Sequence, residues 1–159
     1  MNKTGVEAIG GFLDDKGVAH EVIEHGRTER AAEEAKATHR RPEAVAKTVV
    51  LRDAAEYVLA VIPASERLDL HKVRDALGAS KGLRLATEDE MAEDFPDLEV
   101  GAMPPIGPGL PAAEVIDPRL LDLDRILCAG GDHKHSIAVD PREVARVTGA
   151  RTADIVEEV

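Results

Sequence analysis

The chain has 159 residues, a formal net charge of −11 and an apolar fraction of 43%. This length suits one domain with a buried core, and we expect residues 1–159 to form it. Aromatic residues make up only 2% of the chain, which argues against the stacking platforms that bind single-stranded bases. The negative charge argues against a broad basic surface for nucleic acid, although a small pocket for one nucleotide end is compatible with it.

Cysteine content and hydropathy restrict the location and the kind of site. Cys128 is the only cysteine, so an intramolecular disulfide and a thiolate metal site are excluded. Because it lies in an apolar run, we expect it to be buried as a small hydrophobic residue. The sequence contains no stretch of membrane-spanning length and no apolar region of a signal peptide, so we expect a cytoplasmic protein without a membrane partner.

The first predicted elements are a helix, a strand and a second helix. Thr4 and Glu7 have the spacing of a capping box, and the helix that they open should end at Gly17. Residues 19–25 read as a short strand. Residues 28–38 are polar and rich in alanine, a composition that favours a helix packed through a thin alanine stripe.

The most apolar stretch, residues 46–63, predicts a central β-hairpin. Two apolar runs, 48–51 and 57–62, are separated by the polar segment 52–56. Neither run alternates between apolar and polar residues, so both faces should be covered. Lys47 stands at the mouth of this hairpin. Its ammonium group either reaches solvent along the surface or points into a pocket, where it would bind a phosphate or polarise a carbonyl.

Further elements complete a mixed architecture. A helix capped by Asp69 should end at Gly78, and a short strand at 82–86 should lead to a helix opened by a Thr87–Glu90 capping box. Strands are predicted at 114–117, 125–129 and 136–139, with a turn at Asp117–Pro118 after the first of them. A helix at 141–148, capped by Asp140, is followed by a weakly apolar tail. We expect most adjacent strands to be joined by hairpins. We therefore expect an α+β fold in which a mixed, mainly antiparallel sheet of six or seven strands is flanked by four or five helices.

The segment Gly101–Gly109 contains three glycines and three prolines, so it should form a stiff, irregular loop. It is either a rigid connector or a ligand-binding loop in which Gly101 permits close approach of a ligand. No Gly-Lys-Ser/Thr follows it, so it is not a P-loop.

The segment Gly130–His135 is either a plain turn between two strands or a place where glycine backbone and an imidazole meet a ligand. His133 and His135, at i and i+2 on a strand, would share a face and permit a metal ion, but no third ligand lies near them in the sequence. The acidic residues show no convincing catalytic pair. The remaining histidines have polar neighbours and are interpreted as surface residues: His20, His25, His39 and His71.

Three blocks of the sequence, in the family's order, resemble the YbaK / prolyl-tRNA synthetase-associated editing domain family. The second block looks like its Gly-x-x-x-Pro loop, and the third looks like its C-terminal glycine–histidine hairpin. The blocks are Ala46–Leu51 with Tyr57–Pro63 and Leu68–Val73; Gly101–Gly107; and Ala129–Gly131 with His133 and Asp140–Val144.

This resemblance implies a barrel-like sheet flanked by helices and a free-standing aminoacyl-tRNA deacylase that needs no cofactor and no metal. Family members release a wrong amino acid, such as alanine or cysteine from prolyl tRNA. The implied partner is the acceptor end of an aminoacyl-tRNA. A synthetase or an elongation factor is a further expected partner, because a net charge of −11 does not favour a grip on the whole tRNA.

The resemblance also implies a set of site residues. Lys47 would supply the cation for the terminal phosphate or the ester, and His133 would orient the substrate or a water. Residues 101–105 would present backbone dipoles to the developing oxyanion and form a rigid wall. The substrate-binding residues implied are Thr48, Gly101, Ala102, Met103, Pro104, Pro105, Gly130, Gly131 and His135. Which of His133 and His135 faces the pocket stays open, as does the general base.

Two other functions remain alternatives. The same pocket would serve a non-catalytic module that binds an aminoacyl-tRNA end or a synthetase. A metal-dependent hydrolase that uses His133 and His135 is the third and weakest hypothesis.

Overall fold

The computed structural model describes residues 5–158. Its α-helices are α1 (Gly5–Asp15), α2 (Ala31–Ala37), α3 (Leu70–Leu77), α4 (Glu88–Asp94), α5 (Pro118–Leu121) and α6 (Pro141–Thr148). Its strands are β1 (His20–Glu24), β2 (Ala46–Asp53), β3 (Glu56–Pro63), β4 (Arg84–Leu85), β5 (Ala113–Ile116), β6 (Ile126–Ala129), β7 (His135–Val139) and β8 (Arg151–Thr152). Within the described residues, we find no helix with the length and apolar character needed to cross a membrane.

The strands form two sheets, with the orders β1-β7-β6 and β4-β2-β3-β5-β8. Four strand pairs are antiparallel, whereas β3–β5 and β5–β8 are parallel. The prediction of a mixed, mainly antiparallel α+β fold flanked by helices is therefore confirmed. The sheets do not close into a continuous barrel; a single parallel bridge between Val45 and Leu127 links them.

The central hairpin is confirmed. Strands β2 and β3 pair along their full length, from Ala46 opposite Pro63 to Asp53 opposite Glu56, so both strands extend into the segment predicted as the connection. A two-residue turn remains, in which Ala54 adopts a φ of 55°. The β3 residues from Val58 onward are buried, because one face packs on α1, α5 and α6 residues and the other on α3.

The predicted caps of α3, α4 and α6 are confirmed, whereas the helix predicted over residues 28–38 begins only at Ala31. Side chains of Asp69 and Asp140 accept backbone N–H groups at the starts of α3 and α6, and Thr87 forms the capping box with Glu90. Gly78 and Gly149 end their helices in the left-handed conformation. The capping box proposed for Thr4 and Glu7 lies partly outside the described residues.

One expectation about the second half of the chain was wrong. The Asp117–Pro118 turn opens the short helix α5, because Asp117 accepts the Arg119 N–H and proline suits the first helical position. The weakly apolar tail after Gly149 contains β8, which joins the larger sheet, and its Ile155 and Val156 are buried in the core. Strand β8 is parallel to β5, and parallel strands are joined by long crossover connections instead of tight turns. The sequence therefore has no local turn signal from which β8 could be predicted.

The gap between the two sheets determines where a ligand can enter. The bridge at Val45 lies at one end of the gap, and at the other the Ala86 N–H donates to the Val50 carbonyl at 2.9 Å. Strand β4 pairs only with Leu51 and Arg52. Among the described strands, the segment Ala46–Val49 has a partner on one side alone, which leaves an open cleft beside it.

Candidate functional site

A cavity of about 510 Å³ occupies this cleft. Its walls come from the start of β2, from α2 and the segment before it, from the loop after Val100, and from the turn between β6 and β7. Seven residues predicted for the site line it: Lys47, Thr48, Gly101, Ala102, Met103, His133 and His135. Four others do not line it: Pro104, Pro105, Gly130 and Gly131.

Lys47 and Thr48 border the cavity from β2. The Lys47 side chain is partly buried, and its Nζ lies 3.4 Å from the Glu66 carbonyl oxygen. Burial, and to a smaller extent the guanidinium of Arg67, lowers the pKa of the Lys47 ammonium. Thr48 Oγ1 is sealed from solvent and has no hydrogen-bond partner among residues 5–158. The start of β2 thus combines a partly desolvated cation with an unpaired hydroxyl.

Gly101 and His133 are in close contact. Gly101 adopts a φ of +88°, and a Cβ added there would lie 3.4 Å from His133 Cε1. The His133 side chain is 6% exposed, and its Nε2 lies 2.8 Å from the Val100 carbonyl oxygen. Because a carbonyl only accepts, His133 donates this hydrogen bond through Nε2. The glycine and the carbonyl together fix the plane of the imidazole.

The cavity rim beside His133 is acidic. His133 Nε2 lies 3.8 Å from a carboxylate oxygen of Glu29 and also 3.8 Å from one of Glu99. Arg27 bridges these two carboxylates at 2.8 and 3.4 Å. The hydrogen bond from Arg27 lowers the pKa of Glu29, with smaller contributions from the charges of Arg27 and His133. This rim favours positive charge at the cavity mouth.

The glycine–proline loop is irregular, as predicted, and forms one wall through its first residues. Ala102 and Met103 are buried, and Met103 packs with Val50 and Leu59. Pro104 lies behind this wall, where it borders a second cavity of about 160 Å³. The prolines of the loop therefore stiffen the cavity wall from the side that faces away from the cavity.

The glycines before His133 serve close packing. A Cβ on Gly130 would lie 3.0 Å from the His135 carbonyl oxygen, and one on Gly131, whose φ is +90°, would lie 3.0 Å from Leu98 and 3.1 Å from Ile9. Both positions place backbone where no side chain fits, so they shape the turn that carries His133.

The two histidines of this turn have different surroundings. His133 precedes β7 and lies in the turn, whereas His135 is the first residue of β7, so the two histidines do not share a strand as the metal hypothesis requires. His135 Nδ1 lies 2.9 Å from Asp132, which also accepts the backbone N–H groups of Lys134 and His135. No group of three or more metal-ligating side chains was found within residues 5–158. Cys128 is buried, as predicted.

Comparisons with known proteins show the family to which the chain belongs. The sequence model of the aminoacyl-tRNA editing domain family matches residues 25–147. The chain belongs to this family. A crystal structure of a proposed trans-editing enzyme for prolyl tRNA synthetase is 28% identical, with a TM-score of 0.86, and the match covers 99% of this chain and 100% of that one.

Two further solved structures share the fold of this editing domain. A hypothetical protein is 26% identical over 93% of this chain and 98% of its own, with a TM-score of 0.82. A scaffold protein used for epitope grafting by computational design is 24% identical over 99% of this chain and 100% of its own, with a TM-score of 0.86.

The editing domain also has a buried polar cluster that sequence reasoning missed. It consists of His25, Glu34 and Ser136. The Ser136 hydroxyl contacts a carboxylate oxygen of Glu34 and lies 2.8 Å from His25 Nε2. Glu34 is buried, whereas His25, interpreted as a surface residue, is half-buried, and both line the cavity. No sequence signal separates Glu34 from the exposed Glu33 beside it, because only the packing of α2 does so.

Three protons satisfy the three hydrogen bonds that the cluster makes, including the one from His25 to Gly26. His25 Nδ1 donates to the Gly26 carbonyl at 2.7 Å. If Ser136 donates to Glu34, His25 must be an imidazolium that donates through Nε2; if Ser136 donates to His25, Glu34 must be protonated. Burial raises the pKa of Glu34, whereas the hydrogen bond from Ser136 and the charges of His25 and His133 lower it. The cluster therefore holds the same number of protons in either arrangement.

Proposed function

We propose that this editing domain is a free-standing, trans-acting aminoacyl-tRNA deacylase, and thus a hydrolase. The observation that supports this most directly is the cavity itself. Lys47, Gly101 and His133 come from distant parts of the chain, yet all three line one cavity. The structural likeness to a proposed trans-editing enzyme over the full length of both chains supports the same function.

The proposed reaction adds water across the ester that joins the amino acid to the terminal ribose, so the products are a free amino acid and an intact tRNA. An aminoacyl ester is already activated, and no protein nucleophile is needed. In this proposal Lys47 binds the terminal phosphate or the ester, and backbone dipoles of residues 101–103 stabilise the developing oxyanion. His133, held by its bond to the Val100 carbonyl, orients the substrate or the attacking water.

The proposed substrate is a small amino acid, such as alanine or cysteine, on prolyl tRNA. A wall of buried Ala102 and Met103 side chains, stiffened by prolines, would exclude a larger residue by size. With a net charge of −11, the chain would read only the acceptor end. We propose that residues 1–159 act as one domain in the cytoplasm, and that a synthetase or an elongation factor supplies further affinity.

The first test is deacylation of alanyl-, cysteinyl- and seryl-tRNA, each charged on prolyl and on cognate tRNA. Loss of a preorganised charge beside the reacting centre costs about 100-fold or more in rate. We therefore expect kcat/KM for the best substrate to fall by about that factor in Lys47→Ala. Lys81→Ala is the matched control, because Lys81 is exposed and lies outside the cavity lining, and it should act like the wild type.

Two outcomes would contradict this proposal. Equal turnover by wild type and Lys47→Ala would remove Lys47 from the mechanism. A lack of turnover on every substrate, combined with binding of aminoacyl-tRNA that survives Lys47→Ala, would favour the non-catalytic binding module instead.

A further inference from the structure

Glu34 is a buried carboxyl group that the proposed reaction leaves without a role. It lies on α2, is 6% exposed and lines the cavity. Its Oε2 accepts the hydroxyl of Ser136. Its Oε1 accepts no hydrogen bond from any residue within 5–158. Among these residues, the unpaired side-chain oxygens that are sealed from solvent belong to Thr48 and Glu114, so Glu34 Oε1 is unpaired but not sealed. Oε1 is therefore open to the cavity.

The other carboxylates along the cavity are already engaged. Glu29 pairs with Arg27 at 2.8 Å and has a side chain that is 59% exposed. Asp132 accepts two backbone N–H groups and the His135 imidazole. Glu34 differs from both, because it combines burial, a fixed orientation and a free oxygen atom.

The free oxygen remains an acceptor in both proton arrangements of the cluster. When Glu34 is ionised, Oε1 is a carboxylate oxygen; when Oε2 carries a proton toward Ser136, Oε1 is the carbonyl oxygen of the acid, which also accepts. Ser136, fully buried on the middle strand of its sheet, and His25 behind it hold the carboxyl group in one orientation. The site is thus preorganised for an N–H donor from a ligand.

We propose that Glu34 Oε1 accepts a hydrogen bond from the α-amino group of the aminoacyl ester, with Ser136 and His25 as positioning residues. This inference rests on the proposed function. The acceptor end of an alanyl- or cysteinyl-tRNA carries anionic phosphates and one basic amino group, which is adjacent to the reacting carbonyl. Lys47 on β2 offers a cation to the first feature, and Glu34 on α2 offers an acceptor oxygen to the second, from different elements around one cavity.

The energetics of burial agree with this assignment. A carboxyl group taken out of water is costly unless it is paired and hydrogen-bonded, and burial raises the pKa of Glu34 for this reason. An ammonium group bound at Oε1 would supply the missing partner. Hydrogen bonds between charged groups are stronger than those between neutral groups.

The test combines a change in the protein with a matching change in the substrate. Alanyl-tRNA is compared with propionyl-tRNA, which has the same carbon skeleton but lacks the amino group, using wild type and Glu34→Gln. In the variant, the Ser136 hydroxyl would donate to the amide oxygen, and the amide NH₂ group would face the ligand. We expect the alanyl-to-propionyl ratio of kcat/KM to be about 10- to 100-fold lower in Glu34→Gln than in wild type.

The control is Glu33→Gln, the same substitution on the exposed face of α2, which should leave the ratio unchanged. A ratio that is equal in wild type and Glu34→Gln, while both turn over, would overturn the inference without affecting the proposed function. A second measurement needs no turnover: binding of adenosine carrying a 3′-alanylamido or a 3′-propionylamido group to the wild type. We expect at least tenfold tighter binding of the alanyl compound, and equal binding would also overturn the inference.

Discussion

At the scale of single residues, Gly101 and His133 constrain each other. Gly101 occupies a left-handed conformation that side chains rarely adopt, and the imidazole of His133 packs against it, with Cε1 3.4 Å from the position of an added Cβ. His133 in turn donates to the Val100 carbonyl, so it fixes the residue before the glycine. The conformation of the wall and the orientation of the imidazole are therefore one structural unit.

This coupling predicts different effects for two glycine substitutions. Gly109 has a φ of +71° and nothing within 4 Å of an added Cβ. Gly101→Ala and Gly109→Ala should therefore both lose about 1 kcal/mol of stability through backbone strain. Only Gly101→Ala places a methyl group and a strained backbone directly against His133, so we expect deacylation to fall by about tenfold or more in that variant alone. Denaturant unfolding and kcat/KM check this, and equal activity in the two variants would contradict it.

At the scale of elements, the turn between β6 and β7 depends on one carboxylate. Asp132 accepts N–H groups of Lys134 and His135 and the imidazole of His135. Burial raises the pKa of Asp132. The hydrogen bonds from Lys134 and His135 and the charge of His135 together lower it by more, so the net shift of the pKa is downward. The ionised side chain therefore defines the backbone path that places His133 in the cavity.

Asp132→Ala should loosen this turn. We expect a loss of about 1 to 2 kcal/mol in the free energy of unfolding, together with about tenfold slower deacylation because His133 loses its fixed position. Asp140 is the matched control: it accepts the Arg142 N–H at 2.9 Å as the cap of α6, away from the cavity lining. Asp140→Ala should lose about 1 kcal/mol with unchanged activity. If both variants retain full activity, the turn does not position His133.

At the scale of the whole molecule, local patterns predicted local structure well. The hairpin, the caps at Asp69 and Thr87 and the irregular loop after Gly101 all have short-range signals, and the structure confirms them. The division into two sheets and the parallel strand β8 depend on long crossovers, which leave no such signal.

The candidate site shows the same division. Lys47 and the glycine-rich segments stand out in the sequence because a charge or a glycine interrupts an apolar run. Glu34 and Ser136 have no such signal, since they meet across 102 residues of chain and only the packing of α2 on the smaller sheet brings them together. The sequence therefore predicts the site residues that lie on loops and strand ends, but not those brought in by the packing of α2.

A second buried carboxyl group gives the whole fold a pH-dependent stability. Glu114 on β5 is 4% exposed, one of its oxygens is sealed without a hydrogen bond among the described residues, and burial raises its pKa from 4.5 to about 8. The folded chain therefore keeps this proton over a range in which the unfolded chain releases it. Since the unfolded state then binds fewer protons, stability is fully present below about pH 4.5 and falls as the pH rises toward 8.

Glu114→Gln should remove this dependence. Between pH 5 and 8, we expect the free energy of unfolding of the wild type to fall by about 1.4 kcal/mol per pH unit relative to the variant, so that Glu114→Gln is the more stable protein near pH 8. Glu56→Gln, on the exposed end of β3, controls for the loss of one surface charge and should follow the wild type. Urea unfolding at each pH measures the difference. Parallel curves for wild type and Glu114→Gln would show that Glu114 ionises in the folded protein as readily as in the unfolded chain, which would require water or a cation to reach the interior of the sheet.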